Sequence, residues 1–266
     1  AGLVVSNDPP QEHVPLTRSG DEGHPVAQFT FQTIEKIGLL KLDVLGLSNF
    51  RTIQHALQMI QTSTGNYLKP EEIPLEETNA FELLRRGRTV GIFQLESAGM
   101  TRTLRDLAPS SIGELAAIIA LYRPGPMANI DTYIERKHGR SPPAFLHEKL
   151  EPILRETFGV LVYADQVLMI ARQFAGYSWD EADNFRKAVG KKIREALVSE
   201  REKFIQRSVE GGIPKDIAED VFKLIEPFAG YGFNKAHAVS YAVIAYWTAW
   251  LKAHYPVEFL SALLAT

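Results

Sequence analysis

The chain contains no cysteine. A disulfide framework and thiolate chemistry are excluded, and the absence fits a reducing, cytoplasmic location. Histidine is sparse, with seven residues and no two of them three or four apart, so no helical zinc site is suggested. No apolar run reaches the length of a membrane span, and the N-terminus lacks the charged-then-apolar pattern of a signal peptide. Glycine loops of the P-loop or Rossmann type are missing, as is a Gly-x-Ser-x-Gly elbow. Positive charge is not in excess either. The net charge of −3 argues against a wholly basic nucleic-acid binder. A local positive strip is nevertheless enough to hold phosphates. No internal repeat or low-complexity segment stands out.

What is present is ordinary in bulk. The 266 residues, 45% hydrophobic and 23% charged, suit one large domain or one and a half average ones, with a core that needs no staples. The opening Ala1-Gly2-Leu3-Val4-Val5 has no initiator Met and enters directly in strand-like sequence, which leads us to expect a segment of a longer protein. Strands are predicted only near the start, at residues 3–6, 26–30 and 39–44, broken by Asn7-Asp8-Pro9-Pro10 and Ser19-Gly20-Asp21. A helix follows from about Leu47, with Leu47, Phe50, Ile53, Leu57 and Ile60 as its buried stripe. From about residue 78 onward nearly everything reads as helix. Asn79 with Glu82, Ser111 with Glu114 and Ser178 with Glu181 are candidate caps, Gly87 is a candidate helix stop, and Asn234 is placed to open a long last helix ending near Tyr255. The fold class is therefore mainly α with a small β-containing N-terminal part, divided as 1–66 and 67–266.

The residues suggest sites, each with a plainer alternative. Asp43 ends a strand-like run just before a helix. It either caps that helix or presents a carboxylate from a rigid strand, as two-metal chemistry requires. Arg186, Lys187, Lys191, Lys192 and Arg194 fall close together with no acid between them, over a stripe of Ala182, Phe185 and Val189. This is a phosphate-binding ridge or a solvated basic face. In Arg123-Pro124-Gly125-Pro126 the proline directs one arginine out of helical geometry. The alternative is an ordinary helix-terminating turn. Asn234, Lys235 and His237 open the last helix, where free amides favour anions. Tyr241, Tyr246, Trp247 and Trp250 read as core. Gly91 to Ser97 reads as a structural, glycine-flanked segment.

Together, and in this order, several stretches resemble the alpha subunit of bacterial DNA polymerase III, a C-family replicative polymerase. They are Lys41-Leu42-Asp43-Val44-Leu45-Gly46-Leu47, Gly91-Ile92-Phe93-Gln94-Leu95-Glu96-Ser97, Arg123-Pro124-Gly125-Pro126, Gly190-Lys191-Lys192 and Gly232-Phe233-Asn234-Lys235-Ala236-His237. The resemblance covers practically the whole chain. It implies the last piece of the palm over 1–66 and the fingers over 67–266. It implies template-directed nucleotidyl transfer from a deoxynucleoside triphosphate to a primer 3′-hydroxyl. Asp43 maps onto the third active-site aspartate, a ligand of Mg2+ in a two-metal site, and Lys41 onto the lysine near the active-site phosphates. Arg123, Arg186, Lys187, Lys191 and Lys192 would meet phosphate, although Lys187 stands where the family commonly has arginine. Asn234, Lys235 and His237 would contact DNA or nucleotide. The implied partners are primer–template DNA, dNTP and the other holoenzyme subunits, with no membrane. The family's other two aspartates, an Asp-x-Asp pair, do not occur here, so the chain is expected to be inactive alone. The alternative is a non-catalytic helical module that binds nucleic acid or nucleotide.

Overall fold

The computed structural model describes residues 2–19, 23–44, 46–191, 194–226 and 232–266. The chain divides into two compact units, Ala1–Arg51 and Thr52–Thr266.

The first unit is built on short strands. β1 (Gly2–Val5) pairs antiparallel with β4 (Leu40–Asp43), and β2 (Leu16–Ser19) pairs antiparallel with β3 (His24–Ala27). Helix α1 (Phe31–Lys36) precedes β4, with Thr30 as its N-cap. The β2 strand and α1 have no counterpart in the expectations above. β2 carries Thr17, Arg18 and Ser19 and so lacks an apolar signature, and α1 is too short for a helical period to show. In the β1–β4 ribbon Leu3 faces Leu42 and Val5 faces Leu40, and all four are exposed. Among the described residues of this unit only Val14 and Ile34 are buried hydrophobics. Two-stranded ribbons are marginal in water without further strands or a packed face.

The second unit is helical. Helix α2 (Ser48–Thr64) starts within the first unit and supplies Thr52, Ile53, Ala56 and Ile60 to the core. Phe50 is exposed, so the buried stripe is shifted from the one expected: a 3.6-residue repeat puts 52, 53, 56 and 60 on one side and leaves 50 off its edge. Then follow α3 (Thr78–Arg85), α4 (Ala98–Leu107), α5 (Ile112–Leu121), α6 (Ile130–Lys137), α7 (Glu151–Leu154), α8 (Ala164–Gln173), α9 (Trp179–Lys191), α10 (Arg194–Glu210), α11 (Lys215–Ile225), α12 (Lys235–His254) and α13 (Pro256–Ala265). The expected Asn79 cap is not formed. α3 begins at Thr78, and Asn79 instead donates from Nδ2 to Glu77 Oε1 at 3.3 Å. Gly87, at φ 68°, ends that helix as expected.

Packing explains which helices are apolar all round. α5 carries Leu115, Ala116, Ala117, Ile118, Ile119, Ala120 and Leu121, all buried, and packs against α12. α12 also meets α3, with Phe81 and Tyr246 rings 5.0 Å apart. A second core is formed by α7 to α11 around stacked and edge-on rings of Phe174, Tyr177, Phe185, Phe204 and Phe222. Among the described residues no helix is long and apolar enough to cross a membrane.

Candidate functional site

Asp43 and Lys41 close β4 in the first unit. A strand turns alternate side chains to the same face, so the two lie together, opposite Gly2 and Val4 of β1. Lys41 Nζ is ion-paired with Asp43 Oδ1 and also sits 4.8 Å above the Phe31 ring. Gly2 matters here: a Cβ at that position would come within 2.7 Å of Lys41 Cε and 3.2 Å of Asp43 Oδ1. The Asp43 side chain is 61% exposed. An exposed carboxylate on a strand end suits a hard divalent cation, which takes oxygen ligands. One carboxylate is far short of a full coordination shell, however. Among the described residues no group of three His, Cys, Asp or Glu could hold a metal.

The cationic helix α9 is laid down by its first turn. Ser178 accepts from the Glu181 amide at 3.2 Å, and the Glu181 carboxylate accepts from the Ser178 amide at 2.9 Å, the reciprocal box expected from sequence. Glu181 also takes both Nη atoms of Arg207 from α10, at 2.8 and 2.7 Å. The Ser178 amide and then Arg207 hold its carboxyl down to about 2. Ala182, Phe185 and Val189 are buried as expected, which turns Arg186 and Lys187 outward. The structure adds an acid that the run from 186 onward hides. Asp183 Oδ1 accepts from Arg186 Nη2 at 2.6 Å and Nε at 3.1 Å, and its Oδ2 lies 2.7 Å from Lys187 Nζ. Those two partners, Lys187 first, hold the Asp183 carboxyl below its usual range. Lys191 ends α9 with its side chain outside the described residues, and Lys192 lies outside them altogether.

The remaining candidates gather around Phe233. Arg123 follows α5, and its guanidinium carbon lies 4.2 Å above the Phe233 ring, while Nε donates to Ala120 O at 3.1 Å. Burial lowers its pKa. Gly125, at φ 101°, makes the reversal that follows Pro124. Phe233 itself is tied to α8, since the Ala164 amide donates to Phe233 O at 2.9 Å. Asn234 caps α12 by accepting from the His237 amide at 2.8 Å, as expected. The His237 ring lies 5.3 Å from Phe233 and 4.1 Å from Tyr241. The amides at this helix start, expected to be open to anions, are in part already engaged: Lys235 N donates to Asp165 Oδ2 at 2.8 Å. Lys235 Nζ donates to both Glu156 oxygens at 2.7 Å. Arg123 thus comes together with Asn234, Lys235 and His237, two motifs far apart in the chain. Phe233, Glu156 and Asp165 were not singled out from sequence. Phe233 lies inside the quoted motif, but the acids carry no local signal.

The Gly91–Ser97 segment is structural. Gly91, at φ 76°, donates its amide to Glu96 Oε2 at 3.0 Å, and Phe93 N donates to Thr248 Oγ1 at 3.2 Å. Ser97 caps α4.

Comparison with known proteins bears on the whole chain. Residues 49–212 match the family model for the bacterial DNA polymerase III alpha subunit finger domain. Residues 1–46 match the model for the bacterial DNA polymerase III alpha NTPase domain. The DNA polymerase III subunit alpha of Thermus aquaticus is 46% identical over 270 residues, covering 100% of this chain and 22% of that protein. The subunit of Chlamydia trachomatis serovar D is 46% identical over 264 residues, covering 99% of this chain and 21% of its own length. That of Aquifex aeolicus is 42% identical over 268 residues, covering 100% and 23%. The chain therefore spans less than a quarter of the length of these relatives.

Proposed function

The chain belongs to the bacterial DNA polymerase III alpha-subunit family, and from that premise we propose that it serves template-directed DNA synthesis, with residues 1–66 as the end of the palm and 67–266 as the fingers. The reaction is nucleotidyl transfer from a dNTP to a primer 3′-hydroxyl. The partners are primer–template DNA, dNTP and the other subunits of a cytoplasmic replicase. The observation that carries this reading is the α9 ridge. Arg186 and Lys187 project from a helix whose opposite side is locked by Phe185 into an aromatic core. Cations held on a rigid backing stabilise phosphate charge, and electrostatic stabilisation is the larger part of phosphoryl-transfer catalysis.

Each residue then has a task. Arg186 and Lys187, continued by Lys191 and Lys192, meet the incoming triphosphate. Arg123, fixed by Phe233 and Pro124, aims one cation at nucleotide or template. Lys235 and His237 contact DNA or nucleotide from the start of α12, and Asn234 sets that helix start. Asp43 supplies one oxygen-ligand group to Mg2+, and Lys41, its neighbour on the strand face, steers phosphate beside it. When bound, magnesium lowers the pKa of the primer hydroxyl and neutralises charge on the leaving pyrophosphate. With one such carboxylate the chain by itself does not catalyse synthesis. That single ligand is also the observation behind a second reading, a non-catalytic helical module that binds nucleic acid or nucleotide.

The test is titration of a labelled dNTP, with and without primer–template DNA, into the chain and its Arg186→Ala/Lys187→Ala variant at two salt concentrations. Salt-sensitive binding lost in the variant is the expected result. Equal binding by both proteins removes the ridge from the mechanism. In the full-length parent, Asp43→Ala abolishes synthesis and leaves DNA binding largely intact. Wild-type synthesis by that variant rules out its metal role and leaves the binding module.

A further inference from the structure

The cations assigned to phosphate on α9 are already occupied by an anion of the protein. Asp183 uses both of its oxygens: Oδ1 takes the Arg186 fork at 2.6 and 3.1 Å, and Oδ2 lies 2.7 Å from Lys187 Nζ. A carboxylate that accepts from a guanidinium and an ammonium at once presents the same array as two oxygens of a phosphate. At the start of α12 a carboxylate likewise holds an assigned cation, though only a single one: both Glu156 oxygens accept from Lys235 Nζ at 2.7 Å. We propose that Asp183 is a phosphate stand-in, which holds Arg186 and Lys187 together on the face of α9 and yields them only to a polyanion. This deepens the phosphate-site reading of α9 and rests on it.

The geometry carries the exchange. The pair contacts lie at i, i+3 and i, i+4 on one helix, and the Asp183 side chain is 35% exposed, so an incoming ligand reaches the cations from solvent. Exposed ion pairs of this kind are weak. A triphosphate brings several charges against the single one of Asp183 and wins the two cations. A lone carboxylate or chloride brings no advantage over the resident group. Asp183 thus acts as a positioning residue that screens against weak anions and keeps two long side chains from scattering.

The test uses inorganic tripolyphosphate as the probe, titrated calorimetrically into the chain and four variants at one low salt concentration. Asp183→Asn keeps the shape and removes the charge. It is expected to bind tripolyphosphate about fivefold more tightly, the effect of deleting one like charge about 4 Å away in water. Asp183→Glu keeps the charge and is expected to match the wild type. Arg186→Ala/Lys187→Ala is expected to lose binding, and adding Asp183→Asn to that double variant is expected to restore nothing. A bystander charge at Asp183 would tighten binding in the double-variant background as well, so restoration of binding there overturns the stand-in. Unchanged or weaker binding by Asp183→Asn, with binding still lost in the double variant, overturns the stand-in and leaves the phosphate site standing. Equal binding by the wild type and the double variant overturns the phosphate site itself, and the stand-in with it.

Discussion

Phe204 of α10 is the side chain on which the backing of α9 most depends. It is fully buried and stacks on Phe185 at 5.5 Å and 19° and on Phe174 at 5.9 Å and 14°. Edge-on or tilted contacts with Tyr177 at 6.4 Å and Phe222 at 5.8 Å complete the cluster. Truncation to alanine removes a buried ring and leaves a cavity between four aromatic neighbours, at a cost of about 3–5 kcal/mol. Leucine keeps most of the apolar volume and loses the ring contacts. Two stacked partners at about 0.5–1.5 kcal/mol each give a loss of about 1–3 kcal/mol for Phe204→Leu. A domain of this kind has about 5–15 kcal/mol in all, so the leucine variant stays folded and the alanine variant sits near the threshold. The assay is urea unfolding followed by tryptophan fluorescence. The chain's three tryptophans, Trp179, Trp247 and Trp250, all belong to Thr52–Thr266, so the signal reports the helical unit alone. With a urea slope of about 2–3 kcal/mol per molar, the leucine midpoint falls by about 0.3–1.5 M. A loss below about 0.5 kcal/mol for Phe204→Leu, or equal losses for leucine and alanine, refutes the reasoning from stacked rings and cavity.

Other perturbations test separate links. Asn234→Ala removes the side-chain acceptor for the His237 amide, and the same unfolding assay is expected to show a loss of about 1 kcal/mol. Gly159→Ala places a Cβ 2.7 Å from Ala144 O on a backbone at φ 77°. A loss above about 1 kcal/mol is expected in thermal or urea unfolding, since the clash is with main chain that cannot turn aside. Glu181 has a folded pKa of about 2 against an ordinary 4.5, so as pH falls between those values the unfolded chain takes up the proton first. The stability advantage of wild type over Glu181→Gln is therefore complete above about pH 4.5 and is lost as pH falls toward 2, which acid titration of both proteins measures. A difference that stays constant across that window contradicts the pairing with Arg207 and the Ser178 amide.

Local chemistry was legible in the chain itself. The box of Ser178 and Glu181, the cap at Asn234, the stop at Gly87 and the buried stripe of Ala182, Phe185 and Val189 all lie within a few residues of their partners. Hydrogen bonds and side-chain periods inside one helix depend on spacing alone, so sequence determines them. The motifs that placed the chain in its family are likewise contiguous runs. What failed was also local: the polar strand β2 and the six-residue α1 carry too little apolar pattern to be seen, and Phe50 lies just off the stripe that packing selects.

Only the tertiary structure decided which charges distant in the chain meet. Lys235 finds Glu156 and Asp165, 79 and 70 residues away, and Arg123 finds Phe233. Glu181 finds Arg207, 26 residues on, because α9 and α10 pack side by side. Such pairs follow from how helices bury their apolar faces against one another, and the polar groups at the seams are partnered as a result. The sequence alone determined a helical chain of this polymerase family with its cations in order. The packing decided that Lys235 stands against Glu156 and Glu181 against Arg207, whereas Lys41 meets Asp43, and Arg186 and Lys187 share Asp183, within single elements.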